Sequence, residues 1–234
     1  MWAQREDTMS FETGVKAFHA KNYATAVSEW EKAAEDGDAD SSFQLGLMYA
    51  NGTGVERDYA KAHDWFSRAS ERDHVEAEYS LGVLYNVGFG VERDEAEAAY
   101  WYTRAADKGN AQAQCNLAGL YETGEGVTRD YLKAVELYTE SAKQGYVVAI
   151  FNLGVMCENG TGMEKDIERA IQFYEAAAES GLDAALYNLG VLYATGSGVE
   201  IDLVRARSMF ERAAAQGHKL AQQNIDMLDG KIKA

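Results

Sequence analysis

Two cysteines, four histidines and a series of aspartates spaced 36 residues apart are the side chains of this 234-residue sequence whose types could do chemistry. A metal centre would need imidazoles or thiolates at close helical spacing, as in His-Glu-x-x-His or a Cys/His cluster. His19, His63, His74 and His218 are scattered, and Cys115 and Cys157 have no histidine at ligand spacing. Serine acyl transfer of the Ser-x-x-Lys kind finds no such run in the chain. Pairs of Gly-x-Gly (Gly52/Gly54, Gly88/Gly90, Gly124/Gly126, Gly160/Gly162, Gly196/Gly198) would cradle a phosphate only after a strand, and here they follow helical patterns. Asp58, Asp94, Asp130, Asp166 and Asp202 supply one carboxylate per loop, too few for calcium, and helix capping accounts for them. No catalytic residue, metal ligand or cofactor site is expected.

The spacing of 36 also governs the elements that must position these residues. Leu45, Leu81, Leu117, Leu153 and Leu189 recur at that step, as do the loop glycines and aspartates, without an insertion. A period of this size means stacked small units, each burying its apolar face against its neighbour. In the first copy Leu45, Met48 and Tyr49 make one face of a helix A near 39–50, with equivalents near 75–86, 111–122, 147–158 and 183–194. Two glycines then stop the helix and turn the chain, a valine (Met163 in one copy) pins the loop, and Asp58 caps a helix B near 58–71 bearing Ala62, Trp65, Phe66 and Ala69 on one side. Asp94 with Glu97 has capping-box spacing. Helix B ends at Gly37, Gly109, Gly145, Gly181 and Gly217, with Asp73 the exception, a residue that tolerates left-handed backbone. The expected fold is all-α, a solenoid of antiparallel helix pairs. Residues 1–38 form a variant cap with a shorter loop, since Gly14 to Gly46 is 32 residues; 39–217 hold five repeats; 218–234 form a polar-faced closing helix and tail.

Twenty-two basic against 38 acidic residues leave a formal charge of −16, which repels nucleic acid and either suits a basic or mixed protein surface or serves only solubility. No segment has the apolar length of a membrane span, and Met1–Asp7 lacks the apolar core of a signal peptide, so the chain reads as cytoplasmic as it stands, or periplasmic or secreted if a leader was removed. Cys115 and Cys157 fall in frame with aromatic core positions and read as small apolar substitutes. Proline is absent, as befits helices punctuated by glycine.

The run Leu-Gly-x-x-Tyr at Leu45–Tyr49, Leu81–Tyr85 and Leu189–Tyr193 resembles the tetratricopeptide signature, and the 36-residue period with its Gly-x-Gly-Val loop and following Asp more closely resembles the Sel1-like repeat. Ala118 and Cys157 depart from the pattern at its glycine and tyrosine. The resemblance implies a right-handed α/α superhelix acting as an adaptor or assembly scaffold, with no common ligand and with helix A lining the inner groove. Some members are linked to penicillin binding and β-lactamase activity, so a cell-envelope or β-lactam hydrolase is the alternative, and a self-assembling spacer a third.

Specificity is expected where outward positions differ between copies. On helix A these are Asp40, Glu76, Gln112, Val148 and Ala184, then Ala50, Asn86, Glu122, Glu158 and Ala194, a wall acidic in the first repeats and more apolar in the last. Gln44, Ser80, Asn116, Asn152 and Asn188 form a row whose amides either hold a bound peptide backbone or bond neighbouring helices. Tyr79 joins the candidate wall. Phe89, set between two loop glycines, is either tucked under the loop or presented to a partner. The expected partner is a protein or peptide segment, basic or mixed, bound by a monomer or small closed oligomer.

Overall fold

The computed structural model describes residues 3–232. Met1 and Trp2, which the leader reading and the opening cap both include, and Lys233 and Ala234 at the end of the closing cap lie outside the described residues. Among the described residues there are thirteen α-helices and no strand. Two compact units divide them, Met1–Arg129 and Asp130–Ala234. The first unit carries α1 (Ala3–His19), α2 (Tyr23–Glu35), α3 (Ala39–Asn51), α4 (Tyr59–Ser70), α5 (Val75–Val87), α6 (Glu95–Asp107) and α7 (Ala111–Thr123). The second carries α8 (Tyr131–Lys143), α9 (Val147–Asn159), α10 (Ile167–Glu179), α11 (Asp183–Thr195), α12 (Leu203–Ala215) and α13 (Ala221–Ile232). In each unit successive helices pack against one another, α1 on α2, α3 on α4, α5 on α6, α9 on α10 and α11 on α12 most extensively.

The loop between paired helices uses its two glycines for different reasons. Gly88 ends α5 in the left-handed conformation, φ 80°, and its N–H bonds back to the Leu84 carbonyl. Gly90, φ 73°, lies against the backbone of Tyr59 at the start of α4, one repeat earlier, where a Cβ would sit 2.5 Å from the Ala60 nitrogen. Val55, Val91, Met163 and Val199 then pack the loops onto the apolar clusters as expected.

Each helix B opens on its aspartate. The carboxylates of Asp58, Asp130, Asp166 and Asp202 accept from the N–H three residues on. Asp94 corrects the capping-box expectation. Its Oδ1 accepts from the N–H of Ala96 (2.9 Å) and Glu97 (3.0 Å), but its own N–H donates to the Tyr85 carbonyl (3.0 Å), leaving the Glu97 carboxylate no cap N–H to reach. Asp58 to Tyr49, Asp166 to Cys157 and Asp202 to Tyr193 repeat that backbone bond. It ties the head of helix B to the tail of helix A, which is why the box gives way to it at this position.

Between paired helices the contact is a glycine against a ring in every repeat but the third, where Ala118 takes the glycine's place. A Cβ on Gly82 would stand 2.5 Å from Tyr102 and one on Gly190 2.6 Å from Phe210. Asp73 adopts φ 60° and so takes the place of the turn glycine, as its chemistry predicts.

Candidate functional site

The faces presented by the first helix of each pair are built from positions left over once packing is satisfied. Leu45, Leu81, Leu117, Leu153 and Leu189 and the alanines Ala62, Ala98, Ala134, Ala170 and Ala206 are all buried. The copy-to-copy variants lie between and above them.

In the first unit, Asp40 and Glu76 are exposed and converge on one imidazole. His74 Nε2 stands 3.2 Å from Asp40 Oδ1 and Nδ1 3.5 Å from Glu76 Oε2, while the ring stacks on Phe43 at 4.5 Å. His74 Nδ1 also accepts the Ala77 N–H at 3.2 Å, capping α5, which only the tautomer carrying its proton on Nε2 can do. Gln44, Asn86 and Glu122 are half-buried on the same helices. Tyr79 tilts against Tyr102, ring centroids 6.0 Å apart, and the Asn116 amide lies beside both phenols. Burial pushes the Tyr102 hydroxyl up to about 12, and raises that of Tyr79 as well.

In the second unit, the Tyr174 hydroxyl donates to Glu158 Oε2 at 2.6 Å, and the Asn188 amide lies beside it. Burial first, then the bond to the Glu158 carboxylate, raises the Tyr174 pKa. Asn152 is half-buried on α9. Thus Asn116 and Asn188 lie beside tyrosines of the preceding helix. Asparagine stands one helix after Tyr102, Tyr138 and Tyr174, whereas Ser80 follows Phe66, which has no hydroxyl. Phe89 meets both of its alternatives in part: it stacks on Tyr59 at 4.6 Å and 18°, yet remains 43% exposed.

Both cysteines are buried and unpaired. Burial pushes the Cys115 thiol up to about 12 and raises that of Cys157, which donates to the Asp166 carbonyl at 3.2 Å.

Sequence reasoning missed Glu78. Its side chain is fully buried, with Oε1 2.6 Å from Arg104 and 3.0 Å from Lys108, and these two cations also reach Asp73 at 3.4 and 2.6 Å. The signal was weak, since its frame holds Ser42 and Gln114 as well as the apolar Ile150 and Leu186.

Helix pairs joined by glycine loops, repeated in register, define the all-α superhelix class. The chain belongs to the Sel1 repeat family, whose model matches residues 39–74, 75–110, 111–146, 147–182 and 183–218. Among solved structures it is similar to a protective antigen present in uropathogenic Escherichia coli strains that displays an SLR fold, at 35% identity over 96% of this chain with a TM-score of 0.88. It spans 49% of the length of that protein. It is also similar to a Sel1 repeat protein from Oxalobacter formigenes, at 29% identity over 92% of this chain and 86% of the other, with a TM-score of 0.85. No curated protein matches the chain. No helix among the described residues is long and apolar enough to cross a membrane.

Proposed function

We propose that this chain is a non-catalytic interaction scaffold that binds a protein or peptide segment on the faces formed by the first helices of its pairs, with basic or mixed segments favoured. The observation that carries it is the division of labour along each helix A. Positions repeated in every copy are buried in helix–helix contacts, while Asp40, Glu76, Val148 and Ala184, a single register position, differ from copy to copy and lie on the accessible side. A fold that keeps its interior constant and varies one face is suited to selecting partners by that face. The acidic balance, 23 acidic to 12 basic residues in Met1–Arg129 alone, favours cationic segments and speeds their encounter.

The test is affinity capture followed by direct titration of each captured protein, comparing wild type with a chain carrying Asp40→Lys, Glu76→Lys and Glu122→Lys. Reversing three outward charges should weaken a genuine partner at least tenfold at low salt and less at high salt. An unchanged titration with the variant folded would remove this face from the function. Nitrocefin turnover and labelled-penicillin binding are expected to be blank, and activity in either would restore the hydrolase alternative.

A further inference from the structure

We propose that the α9–α11–α13 face of the second unit takes an extended peptide segment by one apolar side chain and, about three to five residues away, one lysine or arginine. This rests on the scaffold reading above and names the segment that one of its faces selects.

The apolar anchor has a place to go. A hollow of about 320 Å³ opens between α11 and α13, walled by Tyr187, Val191 and Ala194 on one side and Met227 and Leu228 on the other, with Phe210 of α12 beneath. Two of its polar groups are already engaged: Asn224 Nδ2 donates to the Tyr187 hydroxyl at 3.1 Å, and Thr195 Oγ1 donates to the Val191 carbonyl at 2.9 Å. A side chain entering it meets mainly carbon and sulfur. Met227, 60% exposed, is an unbranched thioether that can adapt to either an aliphatic or an aromatic guest.

The register explains why the hollow lies here. Ala194 stands where the three middle repeats carry Asn86, Glu122 and Glu158, and Ala184 where the first three carry Asp40, Glu76 and Gln112, so this stretch of the last repeat lacks those polar groups. One repeat back, on α9, Glu158 keeps its carboxylate. The Tyr174 hydroxyl holds Oε2 at 2.6 Å, which fixes the group, and no cation pairs with it among the described residues. An oriented carboxylate without a counter-ion beside an apolar hollow complements a segment with one basic and one apolar side chain. Neighbouring helices pack about 10 Å apart, so the step from Glu158 across α11 to the hollow is roughly 10–15 Å. Extended chain covers about 3.3 Å per residue, hence the spacing proposed.

The experiment pans a random linear peptide phage library on the immobilised full chain, then titrates a synthetic consensus peptide against wild type, Ala194→Glu and Glu158→Gln. The first installs the residue that Glu122 and Glu158 already hold in that frame, and the second removes the charge while keeping an oxygen for the Tyr174 hydroxyl, so the fold should accept both; circular dichroism melts check it. The expected result is enrichment of an apolar residue three to five positions from Lys or Arg, with affinity lowered about tenfold or more by each substitution. Enriched peptides without that pair, or a consensus peptide indifferent to both substitutions, would overturn this inference while leaving the scaffold standing. A library that yields no binder would overturn both.

Discussion

At the scale of single residues, the chain places a charge at a buried position of its repeat. Glu78 occupies a core register position, and Arg104 and Lys108, each about a third exposed, reach in to neutralise it. Its Oε2 is buried without a hydrogen-bond partner in the protein. Removing a cation leaves the carboxylate under-compensated, whereas removing the charge leaves a polar but neutral group. Arg104→Ala is therefore expected to cost about 3 kcal/mol and Glu78→Gln about 1–2 kcal/mol, as measured by urea denaturation; equal costs would mean that the pair is merely adjacent. Asp73 belongs to the same group. Its hydrogen bond from Lys108, chiefly, holds its carboxyl below the usual 3.8. A depressed carboxyl stabilises the fold above its ordinary value and loses that contribution as pH falls through its lower folded value. Asp73→Asn, which retains tolerance for φ 60°, should lower the urea midpoint at pH 7, with the difference from wild type shrinking toward pH 3.

At the scale of elements, the unit of construction is a helix pair clamped by a ring on a glycine. The α11–α12 pair shows how little slack exists, because a Cβ on Gly190 would lie 2.6 Å from Phe210 Cε1, a ring fixed in the cluster of the second unit. Gly190→Ala gains helix propensity of about 1 kcal/mol but forces that ring to move. The net expectation is a loss of about 1–3 kcal/mol, and the double substitution Gly190→Ala with Phe210→Leu should recover part of it. A thermal melt of the three proteins decides the matter; an Ala variant as stable as wild type would show that the ring yields freely.

At the scale of the molecule, contacts run between helices close in sequence, and stability should accumulate repeat by repeat. Deleting 147–182, one whole period, joins Tyr146 to Asp183 in register, so helix B of one repeat still meets helix A of another. This deletion should leave a folded chain with proportionally less helix by far-UV circular dichroism and a lower midpoint in urea. Deleting 147–164, half a period, removes α9 and its loop and sets two second helices in succession, with no first helix between them to receive their apolar faces. That chain should lose cooperative unfolding. If both deletions behave alike, the register has no part in stability.

The all-α class, the helix and loop order, the left-handed glycine and Asp73 turns and the aspartate caps were legible in the residues, because each depends on groups a few positions apart or on the period itself. The acidic-to-apolar drift of the outward positions was legible for the same reason. What only the tertiary structure decided were the relations between residues about 9 to 37 apart. It set Asn116 and Asn188 beside tyrosines, stacked Phe89 on Tyr59, diverted the Asp94 N–H to Tyr85, and buried Glu78 among its cations. A period tells which positions are equivalent, but a hydrogen bond or an ion pair depends on which two side chains come within about 3 Å, and packing sets that distance.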